Sequence, residues 1–205
     1  METLKHLFLL IFISFSASLF SQNSKDIQAA FSKSYTLEYE YNYSGAIEAL
    51  KKVYVESNYE TNLRLGWLHY LSGKQVESSQ YYQKAIKLMP LSIEARLGYV
   101  LPQISLNNWN NVKSTYLDIL KIDPKNSTAN YRLGLIHYYA KEYKIAIKYF
   151  ETLANLYPFD YDSILMFAWA HYQLGKLREA KVLFQRVLLI KPNDESAQEG
   201  LSLIK

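Results

Sequence analysis

Three histidines of this 205-residue chain share one register: His69, His137 and His171, the first interval being twice the second. Imidazoles at a shared position of neighbouring elements could hold a metal ion or relay a proton. The spacing supplies no third ligand, and only His137 and His171 fall one period apart. The pattern therefore reads as half-buried rings, and no metal site is expected. Glycine-rich phosphate loops, the GxSxG elbow and the HExxH zinc motif are missing. Asp123 and Asp160 sit where one repeating unit gives way to the next, and capping of the following helix accounts for both. With no cysteine, disulfides, thiolate ligands and cysteine nucleophiles drop out together. The sequence predicts a protein that is not an enzyme and takes no cofactor.

The elements that position these residues are helical. Hydrophobic residues make up 49% of the chain, with only five prolines and seven glycines, a composition unlike disordered or turn-rich β proteins. The formal charge is +4, and the basic residues are scattered along the chain. Nucleic acid would demand a clustered basic face, so no nucleic-acid partner is expected. Residues 1–21 (METLKHLFLLIFISFSASLFS) carry Lys5 and His6 ahead of an apolar run from Leu7 to Phe20, and polar sequence follows at once. That is the layout of a signal peptide, and the run is shorter than the roughly 20 residues of a membrane span. The expectation is an exported protein, periplasmic or extracellular, cut after Ser21; retention of the segment would instead tether it to the membrane.

The remainder repeats. Pro90, Pro124, Pro158 and Pro192 recur every thirty-four positions, each closing an apolar phrase. Upstream of each comes a ring (Tyr82, Tyr116, Phe150, Phe184), and four residues earlier a mostly small side chain (Ser78, Val112, Ala146, Ala180). Further upstream, Arg-Leu-Gly occurs at 64–66, 96–98 and 132–134, with Met166, Phe167 and Ala168 as the fourth copy. A weaker first copy holds Tyr43, Ala46, Leu50 and Val53, with Asn58 in place of proline and a following connection two residues short. Residues 193–205 read as one more first helix, a polar cap on the stack. Gly98 precedes Pro124 by two positions more than Gly66 precedes Pro90 or Gly134 precedes Pro158. This predicts two extra residues in the third inter-helix turn, with Pro102 ending that first helix early.

These columns resemble the tetratricopeptide repeat family over about residues 27–192. Leu65 and Gly66, Leu133 and Gly134, Ala146 and Phe150, and Ala180 and Phe184 meet its pattern. The resemblance implies an all-α, right-handed superhelical solenoid of antiparallel helix pairs filling residues 22–205. Its repeats would be about 27–58, 59–90, 91–124, 125–158 and 159–192, with a cap at 193–205. It also implies a protein–protein interaction scaffold or adaptor, which the signal segment would place in the cell envelope. The alternatives are a structural subunit of a membrane-associated assembly and a peptide- or glycan-binding accessory module. In this family a concave groove lined by the first helices takes a protein or peptide segment. Carried over by alignment, the groove residues are Leu63, Trp67, Tyr70, Tyr99, Tyr131, Leu135, Tyr138, Leu165, Trp169 and Tyr172. Arg64, Arg96 and Arg132 stand beside them as partners for an acidic segment or as solvated surface. The family's clamp for chaperone C-termini uses lysine and asparagine where this chain has leucine and rings, so that ligand class is not expected.

Overall fold

The computed structural model describes residues 24–204, so the expected export segment lies outside the described residues. Among the described residues are eleven α-helices and no strand. They are α1 (24–39), α2 (Tyr43–Lys51), α3 (Tyr59–Leu71), α4 (Gln75–Leu88), α5 (Ile93–Ser105), α6 (Trp109–Ile122), α7 (Ser127–Tyr139), α8 (Tyr143–Leu156), α9 (Tyr161–Gln173), α10 (Leu177–Ile190) and α11 (Glu195–Leu203). They form two compact units, one ending at Asn107 and the other beginning at Asn108. The first holds α1–α5 and the second α6–α11.

Two kinds of turn set the repeat period. The turns after α3, α5, α7 and α9 are three residues long, and their middle residue is left-handed: Gly73 (φ 77°), Asn107 (56°), Lys141 (61°) and Gly175 (77°). The next N–H reaches back to the helix, as in Lys74 to His69 O (2.9 Å), Glu142 to His137 O (2.8 Å) and Lys176 to His171 O (2.9 Å). That bond satisfies a carbonyl the helix end would otherwise leave orphaned. The turns after α4, α6, α8 and α10 are four residues long, with proline second. Proline's fixed φ suits that place, and the turn closes by Ser92 N–H to Met89 O (3.0 Å), Asn126 to Asp123 O (3.1 Å), Asp160 to Tyr157 O (3.0 Å) and Asp194 to Lys191 O (3.1 Å).

The residue ending each such turn, and Asn58 at the end of the connection from α2, caps the next helix. Asn58, Ser92, Asn126, Asp160 and Asp194 accept from the backbone N–H of Thr61, Ala95, Ala129, Ser163 and Ala197. Each cap contributes about 1 kcal/mol. Asp160 does what the sequence predicts of it. Asp123 does not: its carboxylate accepts from Lys125 N–H within the turn (3.0 Å), and Asn126 is the cap.

Four expectations are corrected here. There is no insertion in the third repeat, because the first helices start at Tyr59, Ile93, Ser127, Tyr161 and Glu195, in unbroken period. The Arg-Leu-Gly at 96–98 simply stands two positions earlier in its helix than the copies at 64–66 and 132–134. Pro102 does not end α5, which runs on to Ser105. The ring is buried, and Leu106 N–H still reaches Pro102 O at 2.9 Å, so packing outweighs one lost ladder bond. The connection after α2 is longer than the others, spanning 52–58; the shortfall lies in α2, nine residues against fourteen for α4. Asn58 does not replace a proline but opens α3 as its cap.

The cores are built on the ring column. Tyr82, Tyr116, Phe150 and Phe184 are buried, each worth about 1.5–3 kcal/mol of apolar burial. Gly66 of the same hairpin and Gly98 of the next helix enclose Tyr82. A Cβ on them would stand 2.9 Å and 2.2 Å from the ring. Gly134 meets Phe150 at 2.5 Å and Gly200 meets Phe184 at 2.3 Å on the same terms. Small residues also line each first helix one turn in: Thr61, Ala95, Ala129, Ser163 and Ala197 are all buried. Among the described residues no helix is long and apolar enough to cross a membrane.

Candidate functional site

The first helices α3, α7 and α9 carry side chains at matching places that are neither core nor fully exposed. In the first unit, Leu63, Trp67 and Tyr70 of α3 are all half-buried. Trp67 donates its indole N–H to Glu38 Oε1 of α1 at 2.7 Å, and its ring lies 5.8 Å from Tyr70. The other oxygen of Glu38 pairs with Arg64. The Arg64 guanidinium covers the Tyr35 ring at 3.9 Å and donates from Nε to Ser34 Oγ at 3.2 Å. An open cleft of about 770 Å³ lies here, walled by Tyr35, Tyr39, Tyr41, Tyr43, Trp67 and the Arg64–Glu38 pair.

In the second unit, Trp169 of α9 donates to Ser196 Oγ of α11 at 2.9 Å, with its ring 4.9 Å from Phe184 and 5.5 Å from Tyr172. Tyr138 of α7 lies edge-on to Tyr139 (5.6 Å) and Tyr143 (5.4 Å), and its phenol bonds the Gln173 side chain. Tyr131 lies 6.2 Å from Phe150 and, with Tyr157, Asp160 and Asp162, borders a second cleft of about 480 Å³. Burial, reinforced by Asp162, raises the Tyr131 pKa, and burial raises that of Tyr138, so both phenols stay protonated donors at neutral pH. Leu135 and Leu165 are half-buried beside them.

Three residues of the expected groove need correction. Tyr99 is a core side chain, 9% exposed, whose hydroxyl takes a bond from Gln83 Nε2 at 3.1 Å. In the true register it matches the buried Leu65 and Leu133, and Leu101 stands where Trp67 and Trp169 stand. Arg64 is not solvated surface but is 8% exposed and held by Glu38, Ser34 and Tyr35. Arg96 turns back onto its own helix, donating to Ser92 O at 3.0 Å. Arg132 is exposed, free to meet solvent.

Sequence reading missed Tyr35, Tyr39 and Tyr41. The signal was present, since Tyr35 precedes Trp67 by the same interval that separates Ala46 from Ser78. The histidines are internal: His69 stacks on Tyr81 (5.1 Å) and His137 on Tyr149 (5.6 Å), while His171 lies 4.7 Å from Phe167. His137 Nδ1 also meets Glu142 Oε2 at 2.5 Å. Burial lowers the pKa of His69 and of His171, with nearby lysines adding to it. No cluster of three or more His, Cys, Asp or Glu side chains among the described residues is placed to hold a metal ion.

Residues 137–204 match the tetratricopeptide repeat family model. No curated protein sequence matches the chain significantly. Solved structures do. A crystal structure of MamA superposes with a TM-score of 0.70 at 20% identity, covering 82% of this chain and 93% of that one. A second MamA structure gives 0.67 at 22%, covering 77% and 93%. A tetratricopeptide repeat protein from Parabacteroides merdae ATCC 43184 gives 0.73 at 20%, covering 88% and 72%. At these identities the likeness is one of fold. Residues 137–204 are therefore a tetratricopeptide repeat segment, and the helices keep the same period on either side of its start.

Proposed function

We propose that the chain is a non-enzymatic protein–protein interaction scaffold of the cell envelope, exported by residues 1–21, that grips partner segments on the aromatic first helices of each unit, α3 in the first and α7 and α9 in the second. The observation that carries this reading is the recurrence of Trp67 with Tyr70 and Trp169 with Tyr172, half-buried, with both indoles fixed by hydrogen bonds to neighbouring helices. Rings held in place lose little freedom when a partner packs on them, which is why tryptophan and tyrosine dominate interface energetics. The family supports the same reading, since its repeats serve as protein-binding modules.

The test is affinity capture from the native envelope fraction with mass spectrometry. The wild-type chain is compared with a Tyr70→Ala/Tyr138→Ala/Tyr172→Ala variant of unchanged circular dichroism. A partner bound by the wild type and lost by the variant is expected; a partner retained in full sinks the aromatic-face reading. Export is tested separately by the mass of the mature chain. Cleavage after Ser21 in the periplasmic or secreted fraction is expected, and an intact chain confined to the cytosol overturns the envelope assignment.

A further inference from the structure

We infer that the cleft at the first hairpin binds an extended, proline-rich segment of a partner protein; the inference rests on the scaffold reading above. Tyr35, Tyr39 and Tyr41 are 56%, 88% and 80% exposed, and with Tyr43 and Trp67 they surround one open cleft. Large rings left this far in water at one place lose hydrophobic stabilisation, and such patches mark binding surfaces.

Tyr41 strengthens the case. It occupies the left-handed turn position (φ 59°) that the later three-residue turns give to Gly73, Asn107, Lys141 and Gly175. A bulky side chain is strained there, and glycine would relieve the strain. The chain keeps a tyrosine instead, set edge-on to Tyr43 at 6.4 Å and 82°. Strain retained for the sake of an exposed ring points to a ligand that uses the ring.

The polar groups of the cleft narrow the ligand class. Both oxygens of Glu38 are taken, one by Trp67 and the other by Arg64, and Arg64 lies over Tyr35. The two charges therefore cancel within the cleft. What remains is ring faces, phenol hydroxyls and the Leu71 side chain. A glycan is gripped best where several carboxylate or amide groups meet its vicinal hydroxyls, and this cleft has a single carboxylate, already engaged by Trp67 and Arg64. An acidic or basic segment would need an unpaired counter-charge. A polyproline segment needs neither. Its pyrrolidine rings pack on aromatic faces, it carries carbonyl acceptors for phenol donors, and it is already extended before binding.

The probe is a decaproline peptide titrated into the full chain by calorimetry, with chitohexaose and a Gly-Ser decapeptide titrated in parallel. Saturable binding of decaproline alone is expected. Tyr39→Ala and Tyr41→Gly should each weaken it about tenfold, in keeping with loss of an aromatic anchor. Tyr41→Gly also removes the strain, so its melting temperature should rise while its affinity falls, which separates lost contact from lost folding. Binding of chitohexaose in place of decaproline overturns the inference, as does binding of decaproline undiminished in both variants, or no saturation by decaproline at millimolar concentration. An envelope partner whose capture depends on Tyr70, Tyr138 and Tyr172 but not on Tyr39 or Tyr41 would leave the scaffold reading standing and remove this one.

Discussion

Replacing Gly98 with alanine places a methyl group 2.2 Å from Cε1, 2.6 Å from Cζ and 2.9 Å from Cδ1 of Tyr82. Carbon atoms pack at about 3.5–4.0 Å, so all three ring atoms are overlapped, the nearest by more than about 1 Å. The ring has little room to retreat, being 3% exposed with Gly66 also close against it. In an exposed helix the same change would gain about 1 kcal/mol of helix propensity. Overpacking a filled core costs about 1–3 kcal/mol, and this overlap belongs at the upper end. The net expectation is destabilisation of about 1–2 kcal/mol, read as a lower urea midpoint at an unchanged denaturant slope. Gly66→Ala is the matched comparison: its nearest contact is 2.9 Å against 2.2 Å, and Val100 stands at that position in α5, so its loss should be well under that of Gly98→Ala. Tyr82→Leu combined with Gly98→Ala should lose less than the sum of the two changes, because the smaller side chain vacates the overlap. The reasoning fails if Gly98→Ala matches or exceeds wild-type stability, or if the two glycine variants are indistinguishable.

Lys141→Gly should stabilise the protein by about 0.5–1 kcal/mol in the same assay, since Lys141 holds a left-handed φ of 61° that costs a side chain about 1–2 kcal/mol and costs glycine only entropy. Stability should be flat above the unfolded histidine pKa of 6.5 and fall as the pH drops below it, because burial lowers the folded pKa of His69 and His171 and unfolding then takes up protons. The slope should not exceed about 1.4 kcal/mol per pH unit for each histidine, and His69→Gln, which copies Gln103 at the same position of α5, should flatten it. Asp194→Ala should cost about 2 kcal/mol by thermal melting, more than an ordinary cap, because its carboxylate also binds the Tyr161 hydroxyl (2.5 Å) and Lys191 (3.0 Å); a loss no larger than that of Ser92→Ala would refute the added role.

The prolines and rings made the fold legible, because a side chain that only one backbone geometry accepts writes its period openly into the sequence. Phe150, Phe184 and Tyr82 could be placed for that reason. The glycines misled for the opposite reason: Gly66 and Gly98 both make room for Tyr82, from two different helix positions, so equal residue type stood for unequal place. That one ambiguity created the false insertion, moved Tyr99 out of the core on paper, and hid Leu101 from view. Arg64 misled because its burial depends on Glu38, Ser34 and Tyr35, remote in sequence on a helix that joins the stack through a shorter first hairpin. The half-buried rings on α3, α7 and α9 could be named from the repeat. Tyr41 stands in a column that is otherwise glycine, asparagine or lysine, and became visible only as exposed surface.

The caps at Asn58, Ser92, Asn126, Asp160 and Asp194 also define a cutting frame. Excising residues 126–159 would join Lys125 directly to Asp160, so the turn that begins at Asp123 and Pro124 would still end on a side chain able to start a helix. A cut one residue longer at its far end would remove the cap, and a cut one residue shorter would put an extra residue into the turn. Unequal recombination within such a gene is therefore filtered by phase, and the copy number of the hairpin can drift over generations where its length cannot.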